Sequence, residues 1–360
     1  MSALFSPLRL RETTIPNRVM VSPMCQYSCE ARDGLATDWH RTHLTSRAVG
    51  GAGLVMTEAT AVAGRGRISP QDLGIWDDAQ ATALEPVTDF VRAQGSVPAI
   101  QLAHAGRKGS KTRPWEGSET VAPDEGGWET LAPSADNWPY DRPKPAMREM
   151  DRDDVETLID DFVRAAEHSL DAGFEIAEVH AAHGYLLHEF LSPAANDRED
   201  EYGGSFENRT RIVREVVAAV REVWPDERPV FVRVSATDWL PERESWTVED
   251  SVRLADRLAD DVDLVDVSAG GLHPDQRIPN PGPNYQVPYA ERIREETGLP
   301  VGAVGGITEP EQADALVRNE RADLAVVGRE HLRDPYFALR AAEELGSDEL
   351  EWPLPYRRAV

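Results

Sequence analysis

The feature that most constrains this chain is an alternation running from end to end, in which short β-branched or apolar runs are separated by stretches of helical spacing. Neighbouring parallel strands cannot be joined by a tight turn and need a crossover, usually a helix, so the alternation implies a parallel sheet covered by helices. Eight runs qualify as strands: 18–21, 54–58, 97–102, 174–180, 230–234, 264–268, 301–304 and 324–328. Between them, Val155, Leu158, Ile159, Phe162, Val163, Ala166 and Leu170 form one apolar helix face, started by Asp151 and closed by Gly173. Ile212, Val213, Val216, Val217 and Val220 form another, ended by Pro225. An open doubly wound sheet is the competing architecture, but eight regular units favour closure into a (β/α)8 TIM barrel, the α/β class for which 360 residues is an ordinary length. Neither an internal repeat nor a linker divides the chain, so we expect one domain over 1–360. Residues 103–150, rich in Pro, Gly, Trp and acids, break the pattern after the third strand and are expected to form a lid over the barrel mouth, with 351–360 as a C-terminal tail.

Charge narrows the partners. There are 64 Asp and Glu against 38 Lys and Arg, a net of -26, which disfavours nucleic acid and anionic membranes. Lysine occurs only at Lys108, Lys111 and Lys144. Such usage suits a halophilic protein in a salt-rich cytoplasm, where a screening length of ~3 Å at 1 M tolerates an acidic surface; an ordinary acidic protein is the alternative. Mean hydropathy is -0.47, and the first apolar stretch is broken at once by Pro7 and Arg9, so neither a signal peptide nor a spanning helix is expected and the reading is cytoplasmic. Cys25 and Cys29 are too few for an iron-sulfur or structural zinc site.

The segments with unusual chemistry fall at the C-terminal ends of the expected strands, where a barrel of this kind builds its active site. Ser22, Pro23, Met24 and Cys25 follow strand one, Ala59 strand two, Gln101 to Arg107 strand three and His180 to Tyr185 strand four; Arg233 lies in strand five. Ser268 to Gly271 follow strand six, Gly305 and Gly306 strand seven, and Gly328 and Arg329 strand eight. The late glycines admit a phosphate close to bare backbone N–H groups, with Arg329 as a cation and a helix N-terminus adding positive potential, although plain turn glycine is the simpler alternative. His180 and His183 form too small a set for a catalytic metal, which needs three ligands, so no metal is expected. Two imidazole donors aimed at one oxygen, with Tyr185 as proton donor, would suit conjugate reduction of a carbonyl or nitro compound. Arg233, facing inward, needs an anionic partner, and a reduced flavin would supply one.

The stretch His180-Ala-Ala-His183-Gly-Tyr185-Leu-Leu-His188-Glu-Phe-Leu-Ser-Pro, continuing through Asn196, Arg198, Tyr202 to Ser205 and Glu207 to Arg209, resembles the signature of the Old Yellow Enzyme family. The similarity extends to Asn17-Arg18, Ser22 to Tyr27, Gln101 to Arg107, Val267 to Gly271, Val304 to Ile307 and Val327 to Arg329, nearly the whole chain. The resemblance implies an FMN-dependent oxidoreductase that passes hydride from NADPH or NADH to activated alkenes. It places Pro23, Met24, Cys25 and Ala59, with Ser22 beside them, along the isoalloxazine, Gln101 at its pyrimidine edge and Arg233 near N1 and the C2 carbonyl. Gly305, Gly306, Gly328 and Arg329 would hold the phosphate, His180 and His183 the substrate oxygen, and Tyr185 would protonate the α-carbon, with ping-pong kinetics.

Cys25, where many members carry Thr, together with Tyr27 and the terminal Tyr356-Arg357-Arg358, resembles the thermophilic-like subgroup. That implies Tyr27 touching substrate, and a homodimer or homotetramer in which Arg358, or its neighbour Arg357, reaches into the adjacent site. Dienoyl-CoA-reducing relatives carry a second domain and a cysteine-rich cluster not expected here. Two rival readings stay open: a metal-dependent hydrolase or lyase barrel, and a flavin-binding protein without turnover. The loops 103–150 and 239–246 are expected to shape the pocket.

Overall fold

In the computed structural model, which describes residues 2–358, eight parallel strands close into a barrel. They are Val19–Val21, Leu54–Ala61, Val97–Ala103, Ile176–Ala181, Val230–Ser235, Leu264–Ser268, Val301–Val304 and Leu324–Val327, numbered here one to eight. Each pairs with its successor in sequence, and strand eight returns to strand one with Ala325 opposite Val19 and Val327 opposite Val21.

The strands are apolar on both faces because both are covered, and period-two alternation divides their side chains into two sets. Val19, Val55, Ile100, Val179, Val232 and Val267 face outward into the cluster shared with the helices. Met20, Leu54, Ala99, Ile176, Phe231, Leu264 and Leu324 fill the barrel interior. Leu8, Leu10 and Ile15 join that interior cluster from an antiparallel pair, Leu8–Leu10 with Thr13–Ile15, which plugs the N-terminal end. This hairpin lies outside the eight expected runs.

Two steps further along several strands, the inward positions turn polar: Ala99 gives way to Gln101, Ile176 to Glu178 and His180, Phe231 to Arg233, and Leu264 to Asp266 and Ser268. The barrel is therefore an apolar plug below and a polar floor above, and the floor opens to the mouth.

Helix Arg152–Asp171 begins with a capping box between Asp151 and Asp154, worth about 1 kcal/mol, and buries Val155, Leu158, Phe162 and Ala166. Helix Arg211–Val223 buries all five expected apolar residues, each contributing ~1.5–3 kcal/mol against exposure. A Val216→Asp change would leave an unpaired carboxylate in that packed face.

One expectation needs correction. Strand two runs on to Ala61, because a register shift between Met56 and Ala59 absorbs the irregular Thr57-Glu58 step, so Ala59 lies within the strand rather than after it. His180, the last residue of the expected run 174–180, lies within strand four. Within residues 103–150 the chain forms short 3-10 turns and one two-stranded pair, Thr130–Ala132 with Met147–Glu149, which no periodicity announced. Among the described residues, no helix is long and apolar enough to cross a membrane.

Candidate functional site

Gln101, Glu178, Arg233 and Asp266 form the polar floor, all nearly inaccessible to water. Gln101 Nε2 donates to Glu178 Oε1 at 2.7 Å, and Arg233 Nε stands 3.1 Å from Asp266 Oδ2. The latter contact has ion-pair distance without hydrogen-bond alignment, so Arg233 Nε and both Asp266 oxygens keep unused hydrogen-bonding capacity. Arg233 Nη2 also reaches Ser22 Oγ at 3.4 Å. The anionic partner expected for Arg233 is present in the chain itself as Asp266, because an isolated buried guanidinium is too costly. Burial, then the nearby Asp266, pushes the Glu178 carboxyl up to about 8, so it holds a proton at neutral pH. Sequence reading missed Glu178 and Asp266, although a lone acid inside an apolar strand run is a usable signal.

Above the floor, the rings of His180 and His183 stand 5.2 Å apart at 83°, and Tyr185 packs 5.2 Å from His180. His180 Nδ1 accepts from the Ala182 N–H at 3.3 Å, which leaves its ring proton on Nε2. His183 Nε2 lies 2.7 Å from Ser268 Oγ. Burial, followed by Arg233, holds both imidazoles well below their ordinary range, and burial holds the Tyr185 hydroxyl well above its own. The three groups are thus neutral and able to donate. Lys108, one of the three lysines, donates to His183 O at 2.7 Å and sits 5.4 Å over the Tyr185 ring.

On the strand-one side, Cys25 stands near Tyr27 and the Ala59 backbone, bringing three of the expected residues together. Burial, then the nearby Asp72 and Glu58, raises the Cys25 thiol above its ordinary range, which disfavours the thiolate that a nucleophile needs. Glu58 anchors this loop by accepting from Gln26 N at 2.7 Å while facing His40 Nε2 at 3.3 Å. Tyr27, His183 and Trp239 all adopt positive φ, 52°, 60° and 56°, around one mouth. Left-handed backbone costs a non-glycine residue roughly 1–2 kcal/mol, and it persists where surrounding contacts over-determine it.

A cavity of about 490 Å³ opens beside the floor, lined at one end by Met24, Arg233 and Ser268 and at the other by Gly305, Gly306, Gly328 and Arg329. Gly305 and Gly306 have φ of 139° and 67°, and a Cβ on Gly306 would come within 2.9 Å of Gly282 O. The backbone there is bare by necessity and open to a phosphate. The helix after strand eight spans only Arg329–Arg333, so the cations at its ends matter more than its dipole. An elongated group with an anionic tail and a planar polar head fits between the glycine end and the Arg233 end. Ser22, Pro23, Cys25, Ala59, Gln101, His180, His183 and Tyr185 do not line this cavity directly, but Ser22 reaches Arg233 and His183 reaches Ser268 at its inner end.

Arg358 is not brought to this mouth. It lines a separate open groove with Asp334, Tyr336, Arg340, Trp352 and Tyr356, whereas Arg357 is bound to Glu351 of its own chain. Residues 359–360 lie outside those described.

Comparison with known proteins agrees with this geometry. Residues 3–348 match the NADH:flavin oxidoreductase / NADH oxidase family. An NADPH dehydrogenase of Listeria monocytogenes serotype 4a (strain HCC23) is 47% identical over 360 residues, spanning 100% of this chain and 99% of its own. The Old Yellow Enzyme homologue of Zymomonas mobilis superposes with a TM-score of 0.79 at 29% identity, over 95% of this chain and 92% of that one. A 2-naphthoyl-CoA reductase superposes with a TM-score of 0.85 at 25% identity over 95% of this chain but 52% of its own, so this chain spans about half that protein's length. The chain belongs to the NADH:flavin oxidoreductase / NADH oxidase family, the FMN-dependent oxidoreductases that include the Old Yellow Enzymes.

Proposed function

We propose that the protein is an ene-reductase that moves hydride from NADPH or NADH to the β-carbon of an α,β-unsaturated carbonyl or nitro compound, for which FMN held in the cavity would supply the hydride-carrying chemistry. The observation that carries this reading is the convergence of His180, His183 and Tyr185, three neutral donors, beside a cavity whose glycine-lined end, with Arg329, is open to an anion.

Each residue has a definite task. Gly305, Gly306, Gly328 and Arg329 would hold the FMN phosphate, and Ser22, Pro23, Met24, Cys25 and Ala59 the ring system. Gln101, with its Nε2 donated to Glu178, presents its carbonyl oxygen to the pyrimidine edge, and Arg233 adds positive charge there. His180 and His183 donate to the substrate oxygen as negative charge develops on it, a stabilisation worth ~10²–10³ in rate per donor at comparable sites. Tyr185, kept protonated by burial, gives its proton to the α-carbon, so hydride and proton together saturate the double bond. Tyr27 meets the substrate from the strand-one side. One mouth serves donor and acceptor in turn, so the kinetics are ping-pong.

The assembly in this reading is a homodimer or homotetramer in which Arg358 reaches a neighbour's mouth, with Arg357 retained by its own chain. Removing residues 356–360 should raise KM for alkenes while the barrel stays folded; unchanged kinetics would refute the crossing. The acidic surface suits a salt-rich cytoplasm.

Purified protein should carry noncovalent FMN. Reduced anaerobically by each nicotinamide in turn, it should be reoxidised by enones, maleimides or nitroalkenes. A colourless protein that takes up no FMN in high salt, or a reduced one that no activated alkene reoxidises, would overturn the reading.

A further inference from the structure

The turn that carries His183 and Tyr185 is conformationally unfavourable, with consecutive φ values of 60° at His183 and 69° at Gly184. A histidine in left-handed backbone is strained by its Cβ, so other contacts must impose it. His183 N donates to Ser235 Oγ at 2.9 Å, and His183 O accepts from Lys108. The Gly184 N–H, between the two functional side chains, donates to His188 Nδ1 at 2.9 Å.

That bond fixes a tautomer. Because His188 Nδ1 accepts, the ring proton resides on Nε2, and Nε2 lies 2.9 Å from Asp238 Oδ1 in a close but bent contact. Both side chains are 0% exposed. The other carboxylate oxygen, Asp238 Oδ2, accepts from Ser192 Oγ at 2.6 Å and from Trp246 N at 2.8 Å, so the carboxylate is oriented and only Oδ1 faces the imidazole. Neither His188 nor Asp238 lines the cavity. Asp238 lies just after strand five and precedes Trp239, which stacks 6.0 Å from the cavity-lining Tyr285.

We propose that His188 and Asp238 are a positioning pair: Asp238 sets the His188 tautomer, His188 holds the Gly184 N–H, and the pair thereby fixes the aim of His183 and Tyr185. This rests on the roles given above to those two residues. It predicts an unusual sensitivity. In Asp238→Asn, the side-chain oxygen must stay with the Ser192 and Trp246 donors, which turns the amide NH2 toward His188 Nε2. Nε2 must then accept, the ring proton moves to Nδ1, and Nδ1–H faces the Gly184 N–H, donor against donor. An unmatched buried donor of this kind is expensive, and the turn relaxes away from it.

The test uses FMN-loaded protein. Nitrogen-15 NMR of His188 in the wild type should show the Nε2–H tautomer, and in Asp238→Asn the Nδ1–H tautomer. Asp238→Asn should weaken p-nitrophenolate binding and slow reoxidation by cyclohexenone about 10²-fold, the scale of a small misplacement of reacting groups, while FMN content and reduction by NADPH change little. His188→Asn, whose oxygen replaces Nδ1 as acceptor for Gly184, should retain more alkene reoxidation than His188→Leu. Adding Asp238→Asn to His188→Asn should cost little more, since no tautomer remains to invert.

An Nδ1–H tautomer in the wild type would overturn the proposal. So would a tautomer change without a change in reoxidation, or equal losses in both half-reactions accompanied by loss of FMN, which would mark a purely structural role. If Tyr185→Phe and His183→Ala were also silent in these assays, the site reading itself would fail and take the pair with it. If those two responded while Asp238→Asn did not, only the pair would fall.

Discussion

Arg233 Nε lies 3.1 Å from Asp266 Oδ2, with the two side chains 5% and 0% exposed. The guanidinium at the cavity's inner end is therefore already partly neutralised by the chain. Asp266→Asn should leave more positive charge facing the flavin, stabilise its anionic reduced form and raise its reduction potential. Spectroelectrochemical titration checks this; an unchanged or lowered potential in a folded variant would show that Asp266 does not moderate Arg233.

Glu178 gives a pH signature. Its carboxyl is raised from an ordinary 4.5 to about 8, chiefly by burial. The folded state therefore holds a proton that the unfolded chain releases above about 4.5. The associated stability is fully present below that pH and is lost as pH rises toward 8, by about 1.4 kcal/mol per pH unit for one proton. Glu178→Gln removes this slope, so denaturant melts of variant and wild type should diverge in the variant's favour between pH 5 and 8. Parallel curves would mean that Glu178 is ionised in the folded protein.

His180→Ala and His183→Ala should each slow alkene reduction by about 10²-fold or more and weaken binding of phenolates, with flavin reduction by nicotinamide less affected. Tyr185→Phe should slow reoxidation by enones about 10²- to 10⁴-fold while quinones, which need no proton on carbon, stay fast. Stopped-flow measurement of the separate half-reactions distinguishes these outcomes, and equal losses with enone and quinone would contradict a proton donor at Tyr185.

Much of this architecture was legible because barrel strands are short and their neighbours in sequence are their neighbours in space. The runs 264–268 and 301–304 match the observed strands residue for residue. The polar floor was only half legible. Arg233 stood out, but Glu178 and Asp266 read as ordinary strand residues until period-two alternation and closure brought them to one layer with it. The hairpin of Leu8–Leu10 and Thr13–Ile15 and the pair Thr130–Ala132 with Met147–Glu149 were hidden for another reason: three-residue strands carry too few alternations to register. The His188–Asp238 contact joins the short helix Leu186–Leu191 to the loop after strand five, 50 residues apart in sequence, and no local spacing encodes it.

The excess of acids predicts a salt dependence. Repulsion among 64 carboxylates against 38 cations should grow as the screening length lengthens to about 10 Å at 0.1 M, so the melting temperature should fall steeply as salt is diluted from molar concentrations. A flat profile would refute the high-salt assignment and leave the chemistry untouched.

The central claim is that this site adds hydride to the β-carbon and a proton to the α-carbon of an activated alkene. Turnover of an enone with nicotinamide deuterated at the transferable position, followed by NMR of the product, tests it most directly. Deuterium is expected at the β-carbon and solvent hydrogen at the α-carbon, with the carbonyl intact. Deuterium at the carbonyl carbon, or oxidation of the nicotinamide with no reduced alkene formed, would contradict it.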